Sequence, residues 1–406
     1  MEDTKSSNKT VFIAIVMFGM YLSFGLSWMG VAPIFPELKK DLSIIQSQAT
    51  WLISIISLAK SIFPIIAGIL ATKIGISNTL RISAVLISLG VLIPWLPDYY
   101  MWLVGRFLFG VGGAMWVTLM GAVTMQIFEP EKRPLVNSLN GVAVNFGVTL
   151  SYWYTLTLSN SFGWKSTLTF YGLVSIAFAL LFFSIGQIGA KPQVTTTTTN
   201  NNNNTEEEKP KEEEFTYLST LKLPTTWLIS FAFTGPLALY LVFNSWLPTY
   251  YQETMNIPRL ETINYMVLMN AWGIPAAVIT GLLVQKFKKC KPFILLSAIV
   301  LPIFAYLSVT TTDKTMIPYL LAFTGAGMFI PVSPLTTLLQ SQPNMNPRII
   351  GMILGTLFSV TYIVSSMIPG IVGYFYDLKY TLRDLLSICS IIALSPAIAL
   401  KLSEKK

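Results

Sequence analysis

Twelve stretches of mainly apolar residues, set apart by short polar turns, organise this chain. They run approximately over 11–35, 49–72, 79–97, 100–127, 135–158 and 166–188, then 224–249, 262–285, 292–310, 316–340, 349–374 and 382–400. A helix needs about 20 predominantly apolar residues to cross a hydrocarbon core. The pattern therefore predicts an all-α integral membrane protein with twelve transmembrane helices. The first run continues past Phe35, longer than a signal-peptide core, and is expected to remain as a helix.

The periodicity stops once. Thr195–Thr199, Asn200–Asn204 and the acidic run Glu206–Glu214 contain too little apolar surface to pack. The chain is expected to divide into a six-helix half over 1–190, a disordered linker over 191–222 and a second six-helix half over 223–406. An even number of spans puts both termini and the linker on one side. That side carries 18 Lys and Arg, and the other carries Lys39, Lys40, Lys165, Arg259, Lys314, Lys379 and Arg383; Lys60 and Arg106 complete the 27. The excess of basic residues predicts that the side of the termini is cytoplasmic, and a plasma membrane is the expected location.

The two halves echo each other at an offset of about 213–215 residues. Gly68-Ile-Leu-Ala-Thr-Lys73 matches Gly281-Leu-Leu-Val-Gln-Lys286, and Gly110-Val-Gly112 matches Gly325-Ala-Gly327. Arg133 matches Arg348, and Trp28 with Pro33 resembles Trp246 with Pro248. Such a duplication implies two halves related by an axis along the membrane normal, with a substrate site between them near the midplane.

Composition narrows the function. Charged residues are 11% of the chain and apolar residues 53%, far from the roughly 25% charged residues of a soluble domain. The net charge of +8 sits in short loops between spans, which does not suit a nucleic-acid groove. There is no histidine, and no acid lies deep in a span, so intramembrane hydrolysis lacks its usual groups. Cys290 and Cys389 have neither a metal nor a redox spacing. No enzyme, metal or cofactor is expected, and the lipid bilayer is the expected surrounding partner.

Two charges do lie deep in spans, and both are positive: Lys60 in the second and Arg106 in the fourth. An ionisable group at bilayer depth is costly and reads as functional by default. Two buried cations without a buried carboxylate create an electropositive centre suited to a small anion. A buried lysine can also exchange a proton as substrate comes and goes, so a coupled proton is a possible partner. The other candidates at depth are Asn145, Asn244 and Asn270, and the tyrosines Tyr21, Tyr240 and Tyr362.

The arrangement resembles the major facilitator superfamily over nearly the whole chain outside the linker. Gly68-x-Leu70-x-Thr72-Lys73-x-Gly75 is similar to that family's Gly-x-Leu-x-Asp-Arg-x-Gly loop, with Thr72 in place of the usual aspartate and Gln285 in the second copy. Gly68, Lys73, Gly75, Gly281 and Lys286 would then belong to a gating loop, with a weaker latch than the family's aspartate provides. Arg106-x-x-x-Gly110-x-Gly112 resembles a second family motif. The span around Gly141–Gly147 lacks the proline of many proton antiporters, and Trp246-Leu-Pro248-Thr-Tyr250 resembles the cyanate and nitrate/nitrite porter branches.

The resemblance implies a monomeric secondary transporter working by alternating access. Its substrate is expected to be a small anion held by Lys60, Arg106, Asn145, Tyr21, Tyr240, Asn244, Asn270 and Tyr362. A neutral or hydrophobic solute, with Lys60 and Arg106 structural, is the alternative. A further possibility is a transporter-derived sensor whose acidic linker docks a partner.

Overall fold

A computed structural model describes residues 2–128, 133–186, 217–343 and 347–404. The described chain is helical from end to end. The first half contains α1 (Glu2–Met29), the short α2 (Phe35–Asp41), α3 (Gln46–Ile74), α4 (Ile76–Ser88), α5 (Tyr99–Ile127), α6 (Arg133–Phe162) and α7 (Trp164–Ser184). The second contains the short α8 (Tyr217–Leu221), α9 (Pro224–Thr249), α10 (Arg259–Phe287), α11 (Lys291–Thr310), α12 (Ile317–Phe329), α13 (Val332–Gln340), α14 (Pro347–Asp377) and α15 (Leu382–Ile392).

Among the described residues, eleven spans are long and apolar enough to cross a membrane. The twelfth is α6, long enough at 30 residues but more polar. It carries Asn140, Asn145, Thr149, Ser151, Tyr152 and Thr155, because it faces other helices as well as lipid.

Three local features depart from unbroken helices. Span 10 bends where α12 gives way to α13 at Ile330–Pro331, since Pro331 cannot donate to the preceding turn. Span 7 ends in a π-helical turn over Tyr250–Thr254. The expected linker stops short of 222, because Tyr217–Leu221 forms α8, with the Leu221 carbonyl accepting from the Trp227 indole N–H. The tract Thr195–Glu214 lies outside the described residues.

The internal repeat reappears as packing. Gly110 on α5 lies against Ile56 and Ala59 of α3, and Gly325 on α12 lies against the Met269 backbone of α10. Ser83 donates to the Gly112 carbonyl at 2.6 Å, and Ser297 donates to the Gly327 carbonyl at 2.9 Å. The same small residues hold the same pairs of helices together in both halves, as expected where backbones must approach closely.

Between the halves, α3 packs along α14 and α6 along α10. On the side opposite the termini, termed the far side, the two halves meet closely. A side chain at Gly373 would meet Ser47, and one at Gly370 would meet the Trp51 ring. Toward the terminal side, by contrast, a methyl group added at Gly121 or Gly141 meets nothing within 4 Å.

Candidate substrate site

Lys60 lies midway along α3, and Pro64 follows it by four residues. Proline has no N–H, so the Lys60 carbonyl loses its intrahelical donor and the helix is locally loosened. The side chain is 3% exposed. Its Nζ donates to the Tyr21 hydroxyl at 3.3 Å. Four aromatic rings surround it: Trp28 at 4.5 Å, Tyr362 at 4.9 Å, Phe24 at 5.5 Å and Tyr21 at 5.8 Å to the ring centres.

These rings are themselves fixed. Tyr21 and Phe24 stack on α1, and Phe24 stacks in turn on Phe109 of α5. Trp28 donates its indole N–H to the Ile53 carbonyl at 3.3 Å. Three walls of the cage thus come from α1 and the fourth, Tyr362, from α14 of the other half. A desolvated cation over such faces gains ~2 kcal/mol or more. That gain keeps the ammonium buried where no described residue offers it a carboxylate.

The second half supplies polar groups beside the cage. The Tyr240 hydroxyl, on α9, lies in the neighbourhood of Tyr21 and Tyr362. It is buried and has no hydrogen-bond partner. One turn further along α9, the Asn244 amide donates to the Tyr240 carbonyl at 2.8 Å, and its Oδ1 accepts from Asn270 of α10 at 2.9 Å. Tyr152 of α6 donates to the Asn244 carbonyl at 2.7 Å, which ties the first half to the second. Asn270 also donates to Met266, while its Oδ1 is buried without a partner.

Arg106 has a different environment from Lys60. Its Nε donates to the Leu52 carbonyl at 2.8 Å, Nη1 to Ser27 at 2.9 Å and Nη2 to Trp28 at 2.5 Å. The guanidinium therefore joins α5 to the ends of α1 and α3. The cavity beside it, lined by Ser27, Trp102 and Phe109 among others, is about 20 Å³, enough for roughly one water.

The structure thus brings Lys60, Tyr21, Tyr240 and Tyr362 together. Asn244 and Asn270 form an adjoining layer, and Asn145 is buried in α6 apart from the described contacts of Lys60. Phe24 and Trp28 complete the cage, although composition alone gave no reason to choose them over other aromatic residues. Their spacing on α1 held the clue: 21, 24 and 28 fall on one helical face.

In the loop motif, Gly75 has φ 87° and turns the chain from α3 into α4, a conformation that favours glycine. Lys73 and Lys286 are exposed and form no ion pair among the described residues. Gly68 is half-buried, and Gly281 lies near Ser333 of α13 within its own half.

Polar contacts between the halves cluster on the far side. Arg259, at the start of α10, pairs with Glu37 of α2 through two 2.7 Å contacts and donates to the Pro33 carbonyl. Lys39 approaches Glu253 at 3.8 Å, and Glu253 also accepts from Tyr376 at 3.0 Å. Ser47 donates to Asp377 at 2.6 Å.

Comparison with known proteins agrees with this architecture. The family model described as Major Facilitator Superfamily matches residues 17–369. An uncharacterized protein of Campylobacter jejuni, Cj0987c, is 26% identical over 242 residues, 59% of this chain and 71% of that one. The probable nitrate transporter NarT of Staphylococcus carnosus is 26% identical over 168 residues, 41% of this chain and 42% of NarT. The likeness to NarT thus spans less than half of that protein.

Among solved structures, a D-xylose-proton symporter superposes with TM-score 0.71 at 16% identity, covering 97% of this chain and 98% of that one. A bacterial homolog of the human lysosomal transporter Spinster, in an inward-facing and unoccupied conformation, superposes at 0.68 with 11% identity, covering 97% and 94%. Those identities bear on the fold alone. Two six-helix halves packed around a central interface, with the family match over most of its length, make this chain a member of the Major Facilitator Superfamily, a carrier and not an enzyme.

Proposed function

We propose that this protein moves a small anion across a plasma membrane by alternating access, with Lys60 as the counter-charge. One observation carries the reading: a buried ammonium between the two halves, ringed by aromatic faces and hydroxyls, with no carboxylate beside it. A cation would be repelled there, whereas an anion would gain a counter-charge. The partial likeness to NarT supports an anion. Lys60, Tyr21, Tyr240 and Tyr362 are the residues assigned to the substrate, with Asn244 and Asn270 as the second half's adjoining layer. Arg106 is assigned to hold α1, α3 and α5 together, since its guanidinium is already occupied by three carbonyls.

The excess of Lys and Arg on the terminal side supports placing both termini in the cytoplasm. The far side is then the outer face, and its ion pairs make this an outward-closed state. Substrate released from Lys60 would leave toward the terminal side, and rearranging the far-side contacts would expose the site to the other face. Lys60 is also the group through which a proton could be coupled. The chain completes its site within one copy, in keeping with a monomer.

Trp28 gives a direct readout, because an anion at Lys60 must displace or shift the ammonium from the indole face. Titration of the purified protein with small anions is expected to change tryptophan fluorescence saturably, and Lys60→Gln is expected to abolish the change. A saturable response to neutral sugars but to no anion would favour a neutral substrate instead.

A further inference from the structure

We infer that the transported anion carries one negative charge and that divalent anions are rejected. This rests on the assignment of Lys60 as the substrate's counter-charge. Deep within the spans the sequence has two cations, and the structure separates their roles. Lys60 faces the interface between the halves. Arg106 spends its Nε and both Nη groups on the carbonyls of Leu52, Ser27 and Trp28, beside a cavity with room for about one water. Toward the far side, Arg259 is neutralised by Glu37. Those carbonyls fix Arg106 in place without cancelling its charge, so among the described residues Lys60 is the one cation left to contact a ligand at the interface.

The remaining donors are neutral. Tyr21 accepts from Lys60, which leaves its own proton free for a ligand. Tyr240 is 6% exposed, and its hydroxyl is buried with no hydrogen-bond partner among the described residues. Ser57, one helical turn before Lys60 on α3, has a fully buried hydroxyl that is likewise unpartnered. A buried donor left unsatisfied is costly, so these hydroxyls mark places that a ligand's acceptor atoms would fill. Together they can coordinate several oxygens without adding charge.

This combination sets the valence. A monovalent oxyanion neutralises the Lys60 ammonium. A divalent one leaves its second charge among the rings of Phe24, Trp28 and Tyr362, with no second cation in contact with it among the described residues. The hydroxyl donors suit both anions equally, so the single charge decides. The substrate class is a small monovalent oxyanion, such as a nitrate-like ion or a short monocarboxylate.

The test is competition for binding to the full chain in lipid nanodiscs, using anion pairs of like shape, perchlorate against sulfate and monomethyl malonate against malonate, at constant ionic strength. The monovalent member of each pair is expected to bind roughly tenfold or more tightly, and Lys60→Gln is expected to lose both monovalent ligands. Sulfate or malonate binding as tightly as its partner overturns the valence inference but leaves the anion reading standing. Binding of neither class, or monovalent binding that survives Lys60→Gln, overturns both.

Discussion

Arg259 and Glu37, 222 positions apart in sequence, meet as a two-pronged ion pair across the far ends of the two halves, with both nitrogen–oxygen distances at 2.7 Å. The pair sits at the start of α10 and on α2, segments that would separate if the far side opened. Lys39 with Glu253, and Ser47 with Asp377, bridge the same gap. The motif loop after α3 lacks the aspartate that resembling sequences use at the opposite end. In this chain the described inter-half charge pairs are at the far end instead.

Breaking that latch should move a conformational equilibrium. The two side chains are 25% and 30% exposed, so solvent screening reduces the pair to about 1 kcal/mol. Glu37→Gln and Arg259→Gln should each raise the far-side-open population roughly fivefold, and the double variant should add little to either. Spin-label distances between the far ends of α2 and α10 measure this. Strictly additive effects in the double variant would show that the two residues act independently.

Arg106→Leu should damage the fold. It leaves the carbonyls of Ser27, Trp28 and Leu52 without their donor, at a cost of about 3 kcal/mol or more in total. The expected result is a lower thermal unfolding midpoint, with anion affinity retained by whatever fraction folds. Full stability combined with lost affinity would return Arg106 to the substrate.

Glycines at the repeated helix crossings should not tolerate a methyl group. In Gly325→Ala the new carbon would lie 1.8 Å from the Met269 carbonyl oxygen, and overpacking of this kind costs about 1–3 kcal/mol. Gly121→Ala meets nothing within 4 Å and should be neutral or mildly stabilising, because alanine is the better helix former. Thermal unfolding of the two variants side by side measures the difference, and equal midpoints would refute the packing assignment.

How much of this could be read from the sequence depended on how local each signal was. The spans and the glycine matches at 110/325 and 112/327 are one-dimensional patterns, and they reappear as helix crossings. Lys60 stood out because an isolated charge in an apolar run needs a partner wherever the helix ends up. Arg106 drew notice by the same logic, with a scaffold role as its alternative. What separates them is the location of three carbonyls 54 to 79 residues away, which only the folded chain reveals. Arg259 and Glu37 had appeared only as ordinary loop charges, since nothing in their neighbourhoods marks them as partners. The break at Pro331 was likewise hidden inside an apolar run long enough to pass as one helix.

Cys290 should be a poor nucleophile. It lies in the loop between α10 and α11, where burial and the nearby Glu404 carboxylate push its thiol up to about 11 from a usual 9. That leaves about a hundredfold less thiolate at neutral pH than an ordinary thiol has. Maleimide labelling of the folded protein at pH 7 should therefore be slow and should accelerate on unfolding. Rapid labelling of Cys290 in the folded state would contradict the burial described for this loop.

The central claim is that Lys60 holds a transported anion between the two halves. Counterflow of labelled nitrate into proteoliposomes measures it most directly, with the wild-type chain and Lys60→Gln reconstituted at equal, folded amounts. The account predicts saturable uptake by the wild type and uptake reduced to the empty-liposome level in the variant. Uptake by Lys60→Gln at the wild-type rate would contradict it.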